Sequence, residues 1–84
     1  MAPLSESRHF AVNLRVARTA RGLSQEALGE RAGFSQQYIS QLERGYCPPR
    51  PHVVRFARVL GLTIGDLLRA PSDPLLVTED RHAA

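Results

Sequence analysis

Lysine is absent from this 84-residue chain, so all eleven of its cations are arginines. Cysteine is nearly absent too. A single Cys47 excludes an intrachain disulfide and argues against a cysteine-based zinc site. The three histidines, His9, His52 and His82, lie too far apart to share a metal-ligand spacing. No apolar run approaches the ~20 residues of a bilayer span, and Met1–Ser7 contains no secretory apolar stretch. No nucleophile, base and orienting group stand in a recognisable arrangement, so no catalytic residue is assigned and an enzyme is not expected. These absences lead to the expectation of one small cytoplasmic domain with no metal or cofactor, no membrane contact and no small-molecule sensing domain. At this length a binding role is favoured, because a substrate cleft needs more scaffold.

What is present is unevenly charged. The formal net charge is +3, but residues 8–58 carry nine arginines against Glu26, Glu30 and Glu43. Residues 59–84 carry Arg69 and Arg81 against Asp66, Asp73, Glu79 and Asp80. A basic body with an acidic end attracts polyanions, nucleic acid first. A basic surface that serves solubility alone fits the same count, and charge by itself does not separate the two.

The apolar periodicity is helical throughout, which predicts an all-α fold of five helices. Phe10, Leu14, Ala17 and Arg21 share one face of a first helix over 8–21, with Ser7 as its N-cap and Gly22 as its stop. Ser24 caps a second helix over 25–32, with Leu23 stapled onto it, and Gly33 ends it. Ser35 caps a third helix over 36–44, with Ile39 and Leu42 inward and Gly45 at its end. The proline-rich segment Tyr46–Pro51 makes a stiff loop. Val53, Phe56, Ala57 and Leu60 face inward from a fourth helix, which Gly61 stops. Thr63 and Asp66 form a capping box for a fifth helix over 64–69, which buries Leu67 and Leu68. Val12 and Val16 share a separate face of the first helix, either half-buried or in a subunit contact. Cys47 reads as a bystander thiol in the loop, and His52 as a helix-start residue.

Residues 24–45 are the most informative stretch. Helices two and three are joined only by Gly33-Phe34-Ser35, and so short a turn fixes their mutual angle. Gly29 lies inside a helix, where glycine costs ~1 kcal/mol relative to alanine, so it needs a packing reason. Opposite Ile39 and Leu42, the third helix presents Gln36, Gln37, Ser40, Gln41 and Arg44. Glutamine pairs with adenine through both its donor and its acceptor, and arginine favours guanine. An ordinary solvent face is richer in Glu and Lys.

The run from Ser24 to Gly45 resembles the helix-turn-helix of the Cro/phage-repressor, or Xre-type, class. Leu14–Arg18 and Arg21–Ser24 before it, and Phe56–Leu62 with Asp66–Leu68 after it, agree with that class, so the resemblance covers about residues 10–69. It implies a repressor-type DNA-binding domain whose helix-turn-helix is formed by helices two and three. Gln36, Gln37, Ser40 and Gln41 would reach base edges in the major groove. Gln25, Ser35, Tyr38, Arg44 and Arg50 would face phosphate, with Tyr38 alternatively packed on helix two. Arg18 and Glu43 would form a structural ion pair that orients the reading helix. Two departures stand out. The stretch Pro48–Pro51 is one residue shorter than the family's usual loop, and Gly29 replaces a more usual alanine, which should loosen helix two.

The expected organisation is an N-terminal extension over 1–7, a DNA-binding domain over 8–70 and a tail over 71–84 that is disordered or a dimer arm. The expected function is sequence-specific binding of double-stranded DNA as a transcriptional regulator, a repressor acting as a homodimer on an inverted repeat, with a restriction–modification controller as a sub-case. Leu67, Leu68, Leu75, Leu76 and Val77 form the expected dimer surface. The alternative, motivated by the apolar run 75–77, is an antitoxin that binds a toxin partner and represses its own operon.

Overall fold

In the computed structural model, residues 2–70 are described, with side chains from Ser7 onward. Five helices follow one another: α1 (Ala2–Ala20), α2 (Gln25–Ala32), α3 (Gln36–Glu43), α4 (Arg50–Leu60) and α5 (Ile64–Leu68). The described residues contain no strand, as the periodicity predicts. Local chemistry sets most boundaries. The Ser24 and Ser35 hydroxyls accept from the N–H groups of Ala27 and Tyr38 at 2.9 and 3.1 Å. Thr63 and Asp66 complete the capping box in both directions, at 2.9 and 3.0 Å. Gly22, Gly33, Gly45 and Gly61, the four expected stops, all have positive φ.

The first helix departs from expectation. It begins at Ala2 rather than at residue 8, and Ser7 is an interior residue, buried to 3% exposure, rather than an N-cap. Pro3 is compatible with a start this early, because the first helical turn has no use for its missing N–H. Residues 2–7 are thus continuous with α1. The buried face runs through Ser7, Phe10, Ala11, Leu14 and Ala17. Arg21 lies beyond the helix end and is exposed, with its guanidinium donating back to the Ala17 carbonyl at 3.0 Å.

One core gathers all five helices. Phe10, Leu14, Leu28, Ile39, Leu42, Phe56 and Leu67 are the largest fully buried side chains. Ile39 and Leu42 carry the inward face of α3, and each contributes ~1.5–3 kcal/mol by leaving water. Leu67 is fully buried in this core. Its assignment to a dimer surface is therefore corrected, because its apolar area is already used within the domain. Leu68 is half-buried against the core. Leu75, Leu76 and Val77 lie outside the described residues. Val12 and Val16 are exposed, at 44% and 52%. Asn13 ties α1 to the end of α5, its amide donating to the carbonyls of Leu67 and Arg69 at 2.9 and 2.8 Å. No described helix is long and apolar enough to cross a membrane.

Candidate nucleic-acid interface

The α2–α3 turn is built around two glycines. Gly33 ends α2 in the left-handed region (φ 84°), which lets the chain reverse at once into Phe34 and Ser35. The N–H groups of Gly33 and Phe34 both donate to the Gly29 carbonyl, at 2.7 and 2.8 Å. At Gly29 itself the turn crosses so closely that a Cβ would stand 2.5 Å from the Phe34 carbonyl oxygen. This is the packing reason the helical glycine requires. Its absent side chain admits the turn onto α2 in close backbone contact.

Two unlike devices hold α3 in place. At its C-terminal end, the Glu43 carboxylate receives Arg18 Nε at 2.6 Å and Arg18 Nη2 at 3.0 Å, a two-point pair. Gln25 Nε2 adds a third donor at 3.1 Å. Arg18 Nη1 donates to the Leu23 carbonyl at 2.8 Å. The two charged side chains are only 12% and 6% exposed. The Glu43 hydrogen bonds hold the Arg18 guanidinium above its ordinary pKa, outweighing the opposing effect of burial. The end of α1, the first residue of α2 and the end of α3 thus meet at one carboxylate, and the link into α2 is joined to them through the Arg18 guanidinium. The expected Arg18–Glu43 pair is in place.

At the N-terminal end the holding groups are aromatic. The Phe34 ring lies 5.0 Å from Tyr38, 4.6 Å from His52 and 5.1 Å from Phe56, centre to centre. Arg55 covers the same ring at 5.0 Å and donates to the Ala32 carbonyl at 3.3 Å. Tyr38 meets His52 edge-on at 5.4 Å, and its hydroxyl is hydrogen-bonded to His52 Nδ1 at 2.6 Å. Burial raises the Tyr38 pKa, with smaller contributions from Tyr46 and Cys47.

Between these clamps the outer face of α3 is open. Gln36, Gln37, Gln41 and Arg44 are exposed and Ser40 is half-buried. Gln37, Ser40, Gln41 and Arg44 line a surface groove of about 360 Å³. The structure therefore brings the expected base-reading residues to one face, opposite Ile39 and Leu42. The expected phosphate-facing set is more dispersed. Ser35 remains exposed, with its oxygen engaged in the cap. The amide of Gln25 is directed to Glu43, and the hydroxyl of Tyr38 to His52 on α4 rather than to helix two. Arg50 opens α4 and lines another cleft, of about 190 Å³, with Ser7, Phe10, Cys47, Pro48, Val53 and Leu68.

Sequence reading missed the positioning roles of Phe34, His52 and Arg55. The one available signal was the presence of two aromatic residues, Phe34 and Tyr38, four positions apart across the helix start, a spacing at which side chains meet.

Comparison with known proteins agrees with this geometry. Residues 9–70 match the family described as "Helix-turn-helix domain". Over 60 residues the chain is 42% identical to an uncharacterized HTH-type transcriptional regulator, y4dL, of Sinorhizobium fredii, an alignment covering 70% of this chain and 31% of that protein. The chain thus matches less than a third of that relative's length. Among solved structures, it is similar to the hypothetical transcription factor NHTF from Neisseria, with TM-score 0.77, 29% identity and coverage of 86% of this chain and 84% of that one. It is also similar to the restriction–modification controller protein C.AhdI from Aeromonas hydrophila, with TM-score 0.73, 29% identity and coverage of 80% and 99%.

Proposed function

The chain belongs to the helix-turn-helix domain family, and from that premise we propose that it binds double-stranded DNA sequence-specifically as a transcriptional regulator. The observation that carries this reading is the exposed amide face of α3, held at one end by the Glu43 carboxylate and at the other by the Phe34 ring cluster. A helix so fixed presents Gln36, Gln37 and Gln41 to base edges as rigid two-point donors and acceptors, with Ser40 as a shorter reader. Arg44 and Ser35 face phosphate at the two ends of the same helix. Gln25 reaches phosphate with the part of its amide that Glu43 leaves free. Arg50 contacts the backbone from the start of α4. The nine arginines of residues 8–58 supply sequence-independent attraction that weakens with salt.

In this reading the binding domain comprises residues 8–70 together with the earlier part of α1, which begins at Ala2 and buries Ser7. One α3 reads only a few base pairs, so adequate specificity calls for a two-fold dimer on an inverted repeat, with half-sites about 34 Å apart or a multiple of that distance. The action is repression, by occupancy of the operator. Likeness to a restriction–modification controller supports that role as the specific form of regulation. The family is one of regulators rather than of enzymes, and no catalytic step is assigned. No observation on the described residues favours a toxin partner.

Selection of duplexes from a random pool, followed by mobility shifts, tests the proposal. One preferred, two-fold symmetric site is expected. Gln36→Ala and Gln41→Ala should each lose ~1–3 kcal/mol of binding and relax the preference at the base they read. Equal binding to every duplex, or both variants binding as the parent does, overturns the reading.

A further inference from the structure

The two tyrosines of the described region have opposite surroundings. Tyr38 is half-buried, with ring partners on two sides and its hydroxyl on His52. Tyr46 is 59% exposed, and among the described residues it has no ring partner and no side-chain hydrogen bond. Its backbone is nevertheless fixed. Gly45 turns the chain at φ 109°, and the Tyr46 N–H donates to the Gln41 carbonyl at 3.1 Å. The residue is therefore folded back along α3 rather than projected away with the proline loop. It lines a groove of about 240 Å³ with Gln41 and Arg44. Those two residues also line the groove that holds Gln37 and Ser40, so one continuous surface runs from Gln37 to Tyr46.

We propose that Tyr46 is a specificity-determining residue whose ring packs against the C5-methyl of a thymine next to the base pair read by Gln41. This rests on the DNA-binding reading of α3 and extends it. The exposed side chains of α3 are amides, with the Arg44 guanidinium just past its end, and both recognise bases through hydrogen bonds. The thymine methyl is the one apolar mark in the major groove, and apolar contact alone reads it. Tyr46 is the large apolar surface bordering that face. Its ring needs few torsions fixed on contact, so it loses little entropy for the area it covers.

The experiment uses the full chain and its own selected duplex, with each thymine replaced in turn by deoxyuridine, which removes the methyl and leaves every hydrogen-bonding group. Binding is measured for the parent, Tyr46→Phe and Tyr46→Ala. Thermal melts of the free proteins should coincide, because the side chain is exposed. One thymine per half-site is expected whose replacement weakens the parent and Tyr46→Phe about fourfold, the equivalent of one methyl group at ~0.8 kcal/mol. Tyr46→Ala should bind the two duplexes alike. A Tyr46→Ala variant with the parent's deoxyuridine profile overturns the proposal. So does equal weakening of that variant on every duplex, which marks a contact to sugar-phosphate only. If the parent has a preferred site that Gln41→Ala relaxes, yet no thymine responds in this way, Tyr46 alone is refuted. If the parent binds all duplexes equally, the function itself falls and the tyrosine's role with it.

Discussion

The two ends of α3 are fixed by different physics. At Glu43 three polar donors converge on one carboxylate that is almost out of water. At Phe34 and Tyr38, rings pack on rings, with a single short hydrogen bond to His52. The charged end is directional, and either partner is costly to strand alone. The aromatic end depends mainly on area and shape and tolerates small shifts, with Arg55 over the Phe34 ring as its one charged contact among the described residues. An eight-residue helix is too short to hold itself, so its orientation is only as good as these two attachments. Together they allow its outer face to remain free of internal partners.

The contrast can be broken from either side. The largest effect is expected for Glu43→Ala, which strands Arg18 in a mostly buried place. A loss of about 3 kcal/mol of folding stability is expected by denaturant titration. Replacing both partners with apolar residues of similar volume, Arg18→Met with Glu43→Leu, should recover most of that stability but not DNA affinity, since nothing then fixes the end of α3. Equal recovery of both would show that the pair has no orienting role. Phe34→Ala comes next, with about 2 kcal/mol lost, since the ring is half-buried but makes several ring contacts. Its effect on stability should be independent of salt between dilute and molar sodium chloride. A strong salt dependence would remove the distinction between the two ends.

The smallest effect lies away from both ends, at α5. The Asp66 carboxylate accepts from the Thr63 N–H at 3.0 Å, and its interactions with Thr63, the backbone first and the side chain second, hold its carboxyl below the ordinary carboxylate value. The sign follows from that depression. The contribution to stability is present above the unfolded-state pKa and is lost as pH falls through the lower, folded-state value. Melts across the acid range should show a slight loss in the parent that Asp66→Asn lacks. Identical profiles would mean that the capping box adds nothing measurable.

How much of this was legible in sequence follows from the distance over which each signal acts. Caps and stops are written within four residues, so the bounds of α2 agree with expectation and those of α3 differ by one residue at its end. The inward pair Ile39 and Leu42 is a matter of period, and the outward amides follow from it. Ser7 shows the limit of local signals. A serine before an apolar run resembles a cap, and only the continuing buried face of α1 reveals it as interior. Leu67 shows another limit. Apolar character alone does not tell a core residue from one left over for a partner. His52 and Asn13 were illegible because their partners lie 14, 54 and 56 residues away, and nothing beside them in the chain announces those contacts. Arg18 and Glu43, 25 residues apart, were found only because a family pattern carried both.

The two hydrogen bonds from Asn13 have a bearing on assembly. By gripping the carbonyls of Leu67 and Arg69 together, one amide fixes the compass heading on which the chain leaves α5. That exit lies alongside α1, and the residues flanking Asn13 on that helix include the exposed Val12 and, three positions on, Val16. The end of α5, as far as Arg69, is therefore moored to the flank of α1 by a single side chain thirteen residues into the sequence.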